Sequence, residues 1–212
     1  MSITAHQNKP KQSGERALAP KTDSNPSGKG VNGFLADWYR SRPRDVVAKP
    51  RQQVLAELFT SMLALSAKFK YQPVAEHSNY LYWIDGQWSL SLIAPGEWSD
   101  ERRAGFVGEL ILQRDMTWTI TPTDSLADKK AVSSALRRFY DAFAETLDTD
   151  RSLEEILPFH VQSMPYYQRL CASALSRSLR TTMTLGDQAS TSCRDWCRSL
   201  PQLKNVLPAH GV

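Results

Sequence analysis

No apolar run in this 212-residue chain is long enough to cross a bilayer. The longest nearly apolar stretch, Val54 to Ala67, is short and is broken by Glu57, Thr60 and Ser61. Cysteine is scarce: Cys171, Cys193 and Cys197 make an odd, sparse set, unlike the even sets of a disulfide framework. No apolar segment opens the chain to serve as a secretory leader, since the longest early run is Ala17-Leu18-Ala19. These two shortages predict a cytoplasmic, reducing location with free thiols. Cys193 and Cys197 stand four apart, on one face of any helix there. With only His210 beyond them and no second paired motif, no metal is expected, and small apolar side chains facing a core are the better reading.

An excess of one charge is also missing. The 26 Lys and Arg oppose 22 Asp and Glu, for a net charge of +4. Residues 1–50 hold nine basic against four acidic side chains, residues 51–150 ten against fourteen, and residues 151–212 seven against four. Two mildly basic ends around an acidic middle lack the dense basic stripe of a nucleic-acid surface. A nucleic acid is therefore the least favoured partner, and, with no apolar run of spanning length, no membrane is expected. Catalytic motifs are absent as well. Gly28-Lys29 has neither the upstream glycine nor the following hydroxyl of a phosphate-binding loop. His6, His77, His160 and His210 are scattered, and no motif around a Ser or Cys announces a nucleophile. No cofactor is implied, and the balance leans away from an enzyme.

What is present is organised in three parts. Residues 1–33 hold seven residues of the hydrophobic set and no aromatic, so they cannot offset their chain entropy and read as a disordered basic tail. Residues 34–200 read as one α+β domain, and residues 201–212 as a loose tail. Within the domain, Phe34, Leu35, Trp38 and Tyr39 make a short amphipathic helix closed by Arg42-Pro43-Arg44. Val54, Leu55, Leu58, Phe59, Met62, Leu63 and Phe69 then recur at helical spacing as one stripe, with Lys68 and Lys70 at its end and Pro73 as its stop.

From Asn79 the period falls to two. The strands Asn79–Ile84 and Gln87–Ile93 flank Asp85-Gly86, a two-residue hairpin turn. Counting outward pairs Ile84 with Gln87, Trp83 with Trp88 and Leu81 with Leu90. The indole pair is worth about 0.2–1 kcal/mol beyond Ala–Ala. Leu92 extends that apolar face, and Tyr82, Ser89 and Ser91 take the other. Residues 106–113 and 116–121 read as two more strands, the last placing Met116, Trp118 and Ile120 on one face. The expected sheet is a four-stranded antiparallel meander.

Helices follow. Asp124 or Ser125 can cap a helix carrying Val132, Leu136, Phe139, Tyr140, Phe143 and Leu147. A second starts after Asp150 with Leu153, Ile156 and Leu157 before Pro158, and a third opens with Pro165 as its first residue. The third carries Tyr167, Leu170, Cys171, Ala174, Leu175 and Leu179 on one side and Arg169, Ser173, Arg177 and Arg180 on the other. Gly186 ends it, and a short helix surrounds Trp196. These helices are expected to form a C-terminal cluster packed on the sheet, the 132–147 and 167–179 stripes covering the Trp83/Trp88 and Met116/Trp118/Ile120 faces.

Certain runs are more specific. Tyr80-Leu81-Tyr82, Ser91-Leu92-Ile93-Ala94-Pro95-Gly96-Glu97-Trp98, Phe106-Val107-Gly108 and Leu112-Gln113-Arg114-Asp115-Met116-Thr117-Trp118 resemble an uncharacterised family, domain of unknown function family 2452. The ordered set Pro95, Glu97-Trp98, Leu112-Gln113, Asp115 and Trp118 carries most of the likeness, which spans roughly residues 51–122. It implies a shared small fold with a helix before the sheet and supplies no activity. The helical part after Thr121 departs from the family pattern, whose eukaryotic members end soon after the equivalent of Trp118.

The residues best suited to binding are Glu97, Trp98, Asp115 and Trp118. Carboxylates beside indoles in a partly apolar cleft would have raised pKa values and suit a ligand or acid–base chemistry. Alternatively, Glu97 and Asp115 make turns and the indoles are core. The face Arg169, Arg177 and Arg180 either packs or meets an anionic partner. The leading expectation is a non-enzymatic module that binds another protein through sheet-edge or helix surfaces.

Overall fold

The computed structural model describes residues 30–157 and 164–207. Residues 1–29 of the expected 1–33 tail, residues 208–212 of the expected 201–212 tail, the stop at Pro158, and His6, His160 and His210 lie outside them. Among the described residues no helix is long and apolar enough to cross a membrane.

The hairpin forms as its sequence dictates. Strands β1 (Ser78–Ile84) and β2 (Gln87–Ser91) pair Leu81 with Leu90, Trp83 with Trp88 and Ile84 with Gln87. Asp85 and Gly86 both have positive φ, 50° and 74°, as the twist-matched two-residue turn requires. The Trp83 and Trp88 rings stand 4.5 Å apart. Strands β3 (Phe106–Leu112) and β4 (Trp118–Pro122) complete a sheet that is antiparallel throughout. Its order is β2-β1-β3-β4, so β3 crosses to the far side of β1 instead of following β2 as a plain meander would. The crossover runs through a 3-10 turn (Pro95–Glu97) and helix α3 (Asp100–Ala104).

Helix α1 spans Val31–Arg40, beginning inside the stretch whose composition read as tail. Helix α2 (Arg51–Ser66) is the centre of the molecule. The expected single stripe is wrong for it: Val54 to Ser61 and Leu63 to Leu65 are buried continuously, so the helix is covered on all sides. It lies on β4 and β2 with one side and on α4 (Lys130–Leu147) and α6 (Tyr166–Leu185) with the other. The C-terminal helices thus cover α2, and α2 covers the sheet. The helix stops at Ser66, well before Pro73, because the next residues pair with β2: Lys68 N donates to Trp88 O at 2.9 Å and Leu90 N to Lys68 O at 3.0 Å. Gln168 of α6, buried, donates to Leu65 O and Ala67 O and so satisfies carbonyls left open at the end of α2.

Several smaller expectations shift. Leu92 lies beyond β2 and is 59% exposed, since the strand ends at Ser91. Met116 is buried but belongs to the turn before β4, with φ of 69°. Residues 124–128 form a 3-10 turn, so neither Asp124 nor Ser125 caps α4. Pro165 precedes the first residue of α6 instead of occupying it. Helix α5 (Leu153–Ile156) starts where expected, after Ser152, whose side chain and backbone engage Glu155. Helix α7 (Cys193–Cys197) carries the buried Trp196. The expected loose tail contains helix α8 (Leu203–Val206), with Val206 and Leu207 buried.

The thiols make a first prediction. Burial pushes Cys171 up to about 12 and Cys193 up to about 11, so both are held as thiols at neutral pH. Cys197 is the partly exposed one. Mass spectrometry after brief iodoacetamide treatment at pH 8 is expected to find Cys197 modified and Cys171 intact; equal labelling would contradict this packing.

Candidate functional site

The four residues singled out for binding do not meet. Trp98 stacks edge-on against Tyr82 at 6.3 Å, near Phe106 at the start of β3. Asp115 follows the other end of that strand. Seven strand residues separate the two regions by about 20 Å. Glu97 is exposed in the 3-10 turn, where its carboxylate accepts from Ala94 N at 3.4 Å. Trp98 is half-buried under the Arg102 guanidinium, 4.3 Å from its ring. Tyr82, expected on a polar face, is 1% exposed beneath Trp98 and Phe106. Burial chiefly pushes its hydroxyl up to about 12, and it donates to Ile93 O at 2.9 Å. Trp118 is core, 1% exposed, and its backbone N–H donates to Ser61 Oγ of α2 at 2.9 Å. That bond and the Lys68 pairing occupy backbone groups on both outer strands of the sheet, which removes much of the free edge a docking strand would need.

The basic side of α6 is also spoken for. Arg180 pairs with Glu154 at 2.8 Å. Arg177 lies over the Trp38 ring at 4.2 Å and donates to Ser41 O at 3.2 Å, so α1 rests on this side of α6. Arg169 stays exposed.

What Asp115 does is hold a strap. Residues 41–50 run from the end of α1 to the start of α2 across the β3–β4 turn. Arg44 N donates to Arg114 O at 2.8 Å, and Arg114 Nε meets Asp45 at 2.9 Å. At the end of the strap Lys49 Nζ lies 2.6 Å from Glu57 and 2.5 Å from Asp115. All three side chains are at most 10% exposed. Two carboxylates around one ammonium need further donors, and these are present: Gln53 Nε2 donates to Glu57 at 2.9 Å, and Thr117 N and Oγ1 donate to Asp115 at 3.0 and 2.7 Å. Burial alone would lower the Lys49 pKa, but the carboxylates outweigh it and the net shift is upward.

The strap presents α1 as a surface. The inner side of that helix is fixed by Tyr166 Oη, which donates to the buried Asp37 at 3.1 Å, and by Trp38 under Arg177. Its outer side is apolar and open. Val31 is 75% exposed, Phe34 43%, Leu35 44% and Tyr39 64%. Val31, Leu35 and Tyr39 are spaced i, i+4, i+8, so they form one line along the helix. Arg40, Arg42 and Arg44 follow it, all exposed. Sequence reading found the amphipathic helix but not which side would be covered. It missed Lys49 and Glu57 altogether, although an acid in the middle of an apolar helix signals a buried partner.

Among the described residues no group of three His, Cys, Asp or Glu side chains is placed to hold a metal ion. No curated protein and no solved structure matches the chain. The family comparison does match, and it runs past Thr121 into α4, so the first helix after the sheet is part of the family pattern and not a departure from it. Residues 49–142, from Lys49 of the strap through α2 and the sheet to Ala142 of α4, match the family model described as Protein of unknown function (DUF2452).

Proposed function

We propose that the protein is a non-catalytic interaction module that offers the outer side of α1 to another protein. The observation carrying this reading is the exposed line Val31, Leu35 and Tyr39 with Phe34 beside it, on a helix anchored from below. A contiguous apolar surface rimmed by charge is the usual form of a docking site. The inner anchors mean that little ordering entropy remains to be lost on binding. Arg40, Arg42 and Arg44 at the C-terminal end of the helix favour a partner whose apolar groove has an acidic rim.

A photo-crosslinking amino acid at position 39 is expected to give one discrete adduct in cells, absent when it is placed at the exposed Ser134 of α4. Leu35→Glu should abolish the adduct and leave Tm unchanged within about 2 °C, because an exposed substitution costs no more than about 0.5 kcal/mol. The same adducts from positions 39 and 134, or an adduct that survives Leu35→Glu, would refute the proposal.

A further inference from the structure

Beside α1 a cleft of about 740 Å³ opens between the helix, the strap and α6. Trp38, Arg42, Pro43, Val46, Arg177 and Thr181 border it, and Leu35 and Tyr39 form its outer lip. Two guanidiniums therefore share one hollow. Neither has a carboxylate within ion-pair distance among the described residues, where the other close ion pairs have both members assigned. Asp45 also borders the cleft, but its carboxylate is engaged by Arg114.

Arg177 is the fixed member of the pair. The Trp38 ring lies under it, Ser41 O accepts one of its N–H groups, and its Nε is buried without a partner. Burial chiefly lowers its pKa, and the neighbouring Arg42 lowers it further. Arg42 is exposed, and its side chain makes no hydrogen bond among the described residues. Two such forks, one rigid and one free to close, match an anion with two charges and several acceptor oxygens.

The volume is far more than an inorganic anion needs and lies in the range of small-molecule sites. The lip supplies the rest: the Tyr39 ring and Leu35 offer exposed apolar surface where a flat group can lie. We infer that the cleft binds a phosphate monoester carried on a planar ring, with Arg42 and Arg177 on the phosphate and the ring against Tyr39 and Leu35.

Isothermal titration of the full chain with AMP at low salt tests this, with adenosine and inorganic phosphate as separate arms. The expected result is AMP binding with Kd below about 1 mM, and adenosine and phosphate each weaker by about tenfold or more. Arg42→Gln should weaken AMP by about tenfold or more, since a charge-assisted bond is lost from an exposed position that the fold does not use. Arg42→Lys, which keeps charge but not the fork, should fall between. Absence of AMP binding, unchanged binding in Arg42→Gln, or adenosine binding as tightly as AMP would overturn the inference. Inorganic phosphate binding as tightly as AMP would overturn the assignment of the ring. Arg42, Leu35 and Tyr39 border both this cleft and the partner surface of α1, but the titration reads AMP on the isolated chain and the crosslink reads a protein adduct, so the two proposals fail or stand separately.

Discussion

Replacing Lys49 by methionine is expected to lower stability by about 3–5 kcal/mol, the cost of stranding buried charge when one member of an ion pair is removed. Glu57 and Asp115 are 2% and 7% exposed, and Lys49 is the cation that faces both. In a chain of this size each kcal/mol moves Tm by about 2–4 °C, so a fall of about 6–20 °C is expected in a circular-dichroism melt at pH 7. Adding Asp115→Asn to the Lys49→Met chain should recover part of the loss, because one of the two stranded charges is then gone. A fall of less than about 3 °C for Lys49→Met would show that water reaches the triad and that the strap is not held there. The pH dependence has a definite sign. The folded Lys49 pKa is raised above its ordinary value of 10.5, so its contribution is complete below that pH and is lost as pH rises through the folded value. Wild type should therefore lose stability above pH 10.5 more steeply than Lys49→Met does.

Trp118→Ala should cost a similar amount, about 3–5 kcal/mol, for a different reason. Its indole is 1% exposed on the side of β4 that meets α2, in a cluster with Leu112 and Ile120, and truncation leaves a cavity that packed neighbours fill only in part. Urea unfolding followed by far-UV circular dichroism should show a lower midpoint with an unchanged slope. Trp118→Phe should lose less, since an aromatic ring still occupies the space. An indole lining an open ligand cleft would instead tolerate alanine with less than about 1 kcal/mol of loss, and that outcome would remove Trp118 from the core.

Trp118 and Asp115 stood out because aromatics and acids near turns are common in binding sites. Both proved structural: one fills the space between β4 and α2, the other holds the strap through Lys49. Their partners come from distant parts of the chain, Asp115 lying 66 residues from Lys49 and Trp118 lying 57 from Ser61. Periodicity over a dozen residues cannot report such pairings. Glu57 carried a usable hint, because a charge inside an otherwise apolar helix must find a partner.

The sequence by itself determined what short-range physics controls. The Asp85-Gly86 turn needs two residues at positive φ, and the period-two strands on either side then have only one register that puts both indoles together. That three long helices carry the stripes beginning at Val54, Val132 and Tyr167 follows from spacing, and Gly186 marks the end of the last, whereas the end of α2 at Ser66 and the start of α4 at Lys130 do not. The tertiary structure alone decided the rest. The crossing of β3 to the far side of β1, the burial of α2 on every side, and the outward face of α1 depend on which apolar surfaces meet once the chain has collapsed. Each helix has a greasy side, and only the competition among all of them for the same small core settles which one is left facing water.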